Sequence, residues 1–262
     1  MLLLLGGTSE GLVSAQILWE EGWSLMVSTA TENGARAYRE RGIPVRWGRL
    51  DEQGWLEWLR AASFTAIVDA AHPFATELHR QVFQAAVRCG VAYYRLERSA
   101  ADSLIDSPAL HWVEGYEQAA EEAPRWGKRI LLSTGSKSLP IFVRNWKERA
   151  EIAFFVRLLP TPENMLACRR LGIGQAAIAA MQGPFSADLN RALYRHWEVE
   201  VLVSKESGDG GNLRAKVTSA FDLGLHVVLI RRPQLLLPGA VIVESVDQLL
   251  GELENRFGRP QQ

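Results

Sequence analysis

Cysteine is nearly absent. Cys89 and Cys168 are the two in the chain, far apart and outside any Cys-x-x-Cys or Cys/His spacing. That pattern excludes a zinc site built on such ligands, leaves no metal to expect, and points to a reducing compartment. Surplus charge is absent as well: 29 basic against 30 acidic side chains give −1, with five His neutral. Bulk positive charge cannot recruit nucleic acid, and no such partner is expected. Long apolar runs are missing. The opening Met1-Leu2-Leu3-Leu4-Leu5 runs at once into Gly6-Gly7, too short for a signal core or a membrane span, so the expectation is a cytoplasmic protein without a membrane partner. No repeat of 20–50 residues recurs, which excludes a solenoid. Several catalytic signatures are missing too. No tyrosine is followed four residues on by lysine: Tyr38, Tyr93, Tyr94, Tyr116 and Tyr194 lead to Gly42, Glu97, Arg98, Ala120 and Glu198. The dyad of short-chain dehydrogenases is therefore excluded, as are H-E-x-x-H, G-x-S-x-G and EF-hand spacings.

What is present is a chain of 262 residues, 47% hydrophobic and 23% charged, able to bury a full core and long enough for one to two domains of about 150 residues. Short apolar runs alternate with helical stretches. Strands are expected at Leu2–Leu5, Ser24–Ser28, Pro44–Trp47, Ala66–Ala70 and Val91–Tyr94, then at Arg129–Ser133, Ile152–Leu158, Ala176–Met181, Val199–Ser204, His226–Ile230 and Val241–Glu244. Most are continuous apolar runs, as in a sheet covered by helices on both faces. Leu139, Phe142, Val143 and Trp146 fall at i, i+3, i+4, i+7, one face of a helix. Gly22, Gly42, Gly90, Gly172 and Gly224 each follow a helical stretch and read as C-caps. Thr161-Pro162 reads as an N-cap with first-turn proline, and Ser245-Val246-Asp247-Gln248 as a capping box. Strand–helix alternation implies parallel pairing by right-handed crossovers. The expected fold is α/β with two Rossmann-like doubly wound parallel-sheet domains, residues 1–125 and 126–262, and a cleft between them.

The turns after the strands carry the chemistry. Gly6-Gly7-Thr8-Ser9-Glu10-Gly11 follows the first strand and opens a helix whose free N–H groups and dipole suit phosphate. It departs from the dinucleotide fingerprint G-x-G-x-x-G in holding Thr8 at the middle glycine. Gly11 is followed by Leu12 rather than by Lys and Ser/Thr, which excludes a P-loop. The second strand ends at Ser28-Thr29-Ala30 with no acid before Glu32. An NAD enzyme would carry an acid here for the ribose 2′-hydroxyl, whereas hydroxyls with a nearby cation, Arg49 or Arg36, suit the 2′-phosphate of NADP. Asp69-Ala70-Ala71-His72-Pro73-Phe74-Ala75 ends the fourth strand and brings a histidine able to exchange a proton near neutral pH. Further turns of this kind are Thr134-Gly135-Ser136-Lys137, Gln182-Gly183-Pro184-Phe185-Ser186 and Ser204-Lys205-Glu206-Ser207-Gly208, the last running on to Gly210-Gly211-Asn212. Each alone is an ordinary βα turn; together, from both halves, they point to one shared cleft.

Taken with Lys205-x-Ser207-Gly208 followed by Gly211 and Lys216, and with Arg231-Arg232-Pro233, this ordered set resembles the precorrin-6A reductase family of corrin-ring biosynthesis, including its cobalt-precorrin-6A-using members. Ala71, where the family is expected to have Thr, and Glu206, where Asp is commoner, depart from it. The resemblance implies NADPH as cofactor and reduction of one double bond of precorrin-6A or cobalt-precorrin-6A to the precorrin-6B level, with other corrin-pathway enzymes as further partners. Carried onto this chain, it implies that Gly6, Gly7, Thr8, Ser9, Gly11, Ser28, Arg49, His72, Thr134, Gly135, Ser136, Lys137 and Gly183 hold the nucleotide. Lys137, Arg157, Lys205, Ser207, Gly208 and Arg231 hold the carboxylate-rich macrocycle, and Lys205 or His72 delivers the proton. Two rival readings are an atypical NADPH reductase of another small molecule and a non-catalytic NADP-binding redox sensor, which binds nucleotide without turning it over.

Overall fold

The computed structural model describes residues 1–97, 107–206 and 213–260. The chain divides into two compact units, Met1–Ser99 with Pro233–Gln262, and Ala100–Arg232.

The first unit contains β1 (Leu2–Leu5), α1 (Ser9–Glu20), β2 (Leu25–Thr29), α2 (Glu32–Arg39), β3 (Val45–Trp47), α3 (Glu52–Ala61), β4 (Ala66–Asp69), α4 (Thr76–Cys89) and β5 (Ala92–Leu96). Its last elements come from the far end of the sequence: β12 (Val241–Val243) and α10 (Val246–Phe257). Six parallel strands run β12-β5-β4-β1-β2-β3, the Rossmann order, with the reversal between β1 and β4. The four leucines of β1 show why this strand is central. Leu2 and Leu4 pack with Ala15, Leu18 and the α10 residues Leu249 and Leu253. Leu3 and Leu5 pack on the other face with Trp55, Leu59, Val82 and Ala85. The strand period of two divides a continuous apolar run between two cores, each buried leucine contributing about 1.5–3 kcal/mol.

The second unit contains β6 (Leu110–Val113), α5 (Tyr116–Trp126), β7 (Arg129–Ser133), α6 (Leu139–Trp146), β8 (Ala153–Leu158), α7 (Pro162–Arg170), β9 (Ile178–Ala180), α8 (Ala187–His196), β10 (Val201–Lys205), α9 (Leu213–Phe221) and β11 (His226–Ile230). A 3-10 turn at Ser136–Ser138 precedes α6. The order β6-β11-β10-β7-β8-β9 repeats the Rossmann arrangement with its reversal between β7 and β10. Leu131, Leu202, Val227 and Leu229 pack under Tyr194, Trp197 and Val217.

The strands expected from sequence agree with those found to within two residues at each end, and the five expected C-cap glycines, Gly22, Gly42, Gly90, Gly172 and Gly224, all have positive φ. At Gly90 the αL geometry (φ 66) lets its N–H reach the last carbonyls of α4, a conformation costly to a side-chain-bearing residue. Two expectations change. Leu110–Val113, absent from the expected strands, is an edge strand: only Val113 is buried, so the sequence lacks the apolar run that marks a central strand. The division at residue 125 falls inside α5, and the sheets divide the chain elsewhere. The first unit takes the first five strands and, as its sixth, β12 from the far end of the chain, where Val243 pairs with Leu96. The second takes the six consecutive strands β6 to β11, its first strand lying beside its last because Val113 pairs with Ile230.

Candidate functional site

In the first unit the β1–α1 turn is built by close contacts. The Gly6 N–H donates to the Ser28 carbonyl at 2.9 Å. A Cβ at Gly6 would lie 2.5 Å from the Tyr38 hydroxyl and 3.1 Å from Val27 Cγ1, so no side chain fits there. That hydroxyl accepts the Gly7 N–H at 3.2 Å, and burial pushes the phenol above its ordinary pKa. Gly7 has φ +111 and open space on the side where a Cβ would stand. Thr8 is the N-cap of α1: its Oγ1 accepts from the Gly11 N–H at 2.8 Å and donates to the Ala70 carbonyl at 2.9 Å. Thr8 thereby ties the end of β1 to the end of β4, at the point of strand reversal. The residue that breaks the glycine fingerprint is doing a job glycine cannot. Gly11 closes the turn, where a Cβ would stand 3.2 Å from Thr8 Oγ1 and 3.3 Å from the Ala70 carbonyl.

Ser28, buried at the end of β2, is matched in register with Arg46 of β3. Arg46 Nη1 donates to Ser28 Oγ at 3.1 Å, and its guanidinium lies 5.1 Å from the Trp58 ring centroid. Burial lowers the Arg46 pKa. The sequence candidates are placed differently: Arg49 is exposed beyond β3, and Arg36 pairs with Glu40 on the α2 surface. The cation bonded to Ser28 is one that sequence reasoning passed over, and strand register is the signal that identifies it.

The end of β4 holds a buried polar cluster. Asp69 is 1% exposed. Its Oδ1 accepts the Ala71 N–H at 3.1 Å. Its Oδ2 faces His79 Nδ1 at 2.6 Å and accepts from Tyr93 at 2.5 Å and Arg95 at 3.1 Å. Burial pushes the Asp69 carboxyl up, but His79, Arg95 and Tyr93 together outweigh it and hold the group below its ordinary value. Tyr93 is pushed well up by burial and by the Asp69 charge. His72 caps its own turn: Nδ1 accepts the Phe74 N–H at 3.2 Å, which leaves the neutral ring its proton on Nε2. His79 was not singled out from sequence, because a histidine inside a helix has no motif around it.

In the second unit, Thr134 and Ser138 bond through their hydroxyls at 2.7 Å, and Ser138 also donates to the Gly135 carbonyl at 3.0 Å. Ser136 Oγ donates to Asn164 at 2.5 Å, and Lys137 is exposed. Arg157, 5% exposed on β8, donates to Asn190 at 2.6 Å and to Ser133 at 3.2 Å and stacks 4.5 Å over Phe185, the residue against which Gly183 is packed. Among the described residues these hydrogen-bond partners are neutral, and burial lowers the Arg157 pKa. Lys205 is lowered by burial and by the Lys137 charge. Lys216 donates to Ser204 at 3.0 Å, and burial, with Arg157 and Lys205 nearby, lowers it to about 7. Arg231 is engaged by Glu114 at 3.3 Å and by the Trp112 ring at 4.4 Å. Glu206 is the partner of Arg232, at 3.0 Å. Ser207 and Gly208, with Gly210, Gly211 and Asn212, lie outside the described residues.

Two six-stranded parallel sheets in Rossmann order, with glycine- and hydroxyl-bearing turns at the strand C-termini, define a two-unit Rossmann-type α/β protein. Within that class the chain belongs to the precorrin-6x reductase family, CbiJ/CobK, whose model matches residues 1–254. It is 36% identical over 235 residues to the cobalt-precorrin-6A reductase of Priestia megaterium, covering 90% of this chain and 91% of that one. It is 32% identical over 258 residues to the precorrin-6A reductase of Rhodococcus erythropolis, covering 96% and 95%. Among solved structures it is similar to CobK precorrin-6A reductase, with a TM-score of 0.80, 26% identity, and 100% and 99% of the two chains covered. No helix among the described residues is long and apolar enough to cross a membrane.

Proposed function

We infer that the chain is an oxidoreductase that reduces one carbon–carbon double bond of a precorrin-6A macrocycle, with or without cobalt in the ring, to the precorrin-6B level, and that NADPH is its reductant. The observation that carries this reading is the family match running through residues 1–254, on a fold shared end to end with a precorrin-6A reductase.

The turns of the first unit fit a nucleotide. The backbone at Gly7 faces open space, and the α1 N-terminus turns the positive end of the helix dipole toward a pyrophosphate. Thr8 holds that turn in shape through Gly11 and Ala70, and Ser9 adds a hydroxyl. Arg46 on Ser28, with Arg49 beyond the same strand, supplies cations for a 2′-phosphate. Thr134, Gly135, Ser136, Lys137 and Gly183 are the second-unit residues assigned to the same cofactor. When bound, the dihydronicotinamide supplies a hydride to one carbon of the double bond and leaves as the oxidised ring. The neighbouring carbon then takes a proton, for which Lys205 is the assigned donor, while His72, whose Nδ1 accepts the Phe74 N–H, offers its Nε2–H as a hydrogen bond that polarises the reacting group. Lys205 holds its proton less tightly than an ordinary lysine because it is desolvated and beside Lys137. Lys137, Arg157, Lys205 and Arg231 face the carboxylates of the macrocycle with positive charge, Arg157 most usefully because its partners within the protein are neutral.

The test is an anaerobic assay of the purified chain with NADPH and, separately, precorrin-6A and cobalt-precorrin-6A. Macrocycle-dependent loss of NADPH absorbance, with a product heavier by two hydrogens, is the expected result. Tight NADPH binding with no oxidation in the presence of either macrocycle would overturn the reading in favour of a nucleotide sensor.

A further inference from the structure

His79 is completely buried in α4, and both of its ring nitrogens face acceptors. Nε2 lies 3.0 Å from the His72 carbonyl, which has no proton to give, so Nε2 must donate. Nδ1 lies 2.6 Å from Asp69 Oδ2. That carboxylate receives donors from every side: the Ala71 N–H on Oδ1, and the Tyr93 hydroxyl and the Arg95 guanidinium on Oδ2. A carboxylate so surrounded is ionised, and an imidazole lone pair aimed at it from 2.6 Å would be repelled, so Nδ1 must donate as well. The charges facing this ring are Asp69 from β4 and Arg95 from β5, with Glu97 balancing Arg95 at 3.2 Å.

We propose that His79 is a positioning residue, protonated on both ring nitrogens, which locks the carbonyl of His72 to Asp69 and so fixes the His72-Pro73 turn at the end of β4. The lock has two ends. One is strand β4 through Asp69. The other is the turn, whose carbonyl also accepts the Ala75 N–H at 2.7 Å. The ring bridges them from seven positions further along the chain, and a neutral imidazole, with a single N–H, cannot donate to both. The functional part of this inference rests on the reading that His72 faces the reacting groups; the protonation state does not.

The experiment uses the full chain labelled with 15N-histidine and read by long-range 1H–15N correlation at neutral pH. The expected signature is one histidine with both nitrogens protonated, assigned by elimination with single Gln replacements of His72, His111, His196 and His226, and absent from His79→Gln. A His79 ring with one bare nitrogen overturns the proposal, and this arm holds even if His79→Gln fails to fold. In steady-state assays of precorrin-6A reduction, His79→Gln is expected to lower kcat at least about tenfold, the scale for a displaced positioning group, and by a larger factor than it weakens NADPH binding. A kcat that falls in His72→Ala but not in His79→Gln overturns the positioning role alone. A kcat unchanged in both overturns the placement of His72 and the positioning role with it, while the labelled spectrum still reports the protonation state.

Discussion

Arg46 and Ser28 join the C-terminal ends of two neighbouring strands, the guanidinium donating to the serine hydroxyl at 3.1 Å while stacking on Trp58. A cation so fixed loses little freedom on meeting a phosphate, which is the advantage of a planar fork over a flexible ammonium. Replacing Arg46 with Met removes a charge-assisted contact of about 1.5–3 kcal/mol, so the Kd for NADPH should rise by about 10- to 150-fold and that for NADH little. Nucleotide-fluorescence titration with both cofactors measures this. Equal weakening of the two would show that Arg46 does not read the 2′-phosphate.

The same comparison applies to Arg49, exposed beyond β3. Arg49→Ala should weaken NADPH and spare NADH, but by less than Arg46→Met, because an exposed contact is screened by solvent and salt. Dissociation constants at low and high salt separate the two: the Arg49 effect should shrink with salt and the Arg46 effect should persist.

The sequence made the repeating βα units legible because central strands are written as unbroken apolar runs and helices end on glycine. It was also enough for the β1–α1 turn, whose residues lie side by side in the chain. It could not disclose which strand completes which sheet. Leu110–Val113 and Val241–Val243 are short edge strands with weak apolar patterns, and edge pairing is decided by partners more than a hundred residues away. Arg46 and His79 escaped notice for the same reason. Arg46 gains its place from cross-strand register with Ser28, and His79 from the packing of α4 against Asp69 and the His72 turn. Neither is near its partner in sequence.

Thr8 offers a test of consensus against context. Thr8→Gly would restore the G-x-G-x-x-G pattern, yet it deletes the cap on the Gly11 N–H and the bond to the Ala70 carbonyl. Loss of the cap alone is worth a few tenths of a kcal/mol with Gly and about 1 kcal/mol with Ala, and a flexible glycine adds backbone entropy to the unfolded chain. Thr8→Gly should therefore destabilise the protein by about 1 kcal/mol or more and weaken NADPH binding, whereas Thr8→Ser should keep both. Urea unfolding and cofactor titration decide between them. A gain in either property on Thr8→Gly would show that the threonine is no part of the turn's design.

Asp69 sets an acid limit on the fold. Its folded-state pKa is lowered, so the stability it contributes is present in full above its unfolded value and is lost as pH falls through the lowered one. Asp69→Asn abolishes that dependence and leaves the buried Arg95, 3% exposed, without its full counter-charge; breaking a buried pair in this way costs about 3–5 kcal/mol. Urea midpoints measured from neutral pH down to pH 3 should show the wild-type curve falling toward that of Asp69→Asn as acid is added. Parallel curves would mean that the carboxyl is not ionised in the native state.

Lys216 gives the opposite slope. Its folded value is lowered to about 7 from an ordinary 10.5, chiefly by burial, then by Arg157 and Lys205. Between those two values the unfolded chain binds a proton that the native chain does not, so native stability rises with pH across that window, by at most about 1.4 kcal/mol per pH unit for one proton. Solvent reaching the half-buried side chain narrows this window and so lowers the total change across it. Lys216→Met removes the group and should flatten the curve, with the largest difference from wild type at the neutral end, where the native lysine carries the most charge against its cationic neighbours. Unfolding at pH 7, 8 and 9 is sufficient. The variant and the wild type would run parallel only if Lys216 kept an ordinary ammonium in the folded state, and the cluster around Arg157 would then have one more fixed positive charge to offer an anionic substrate.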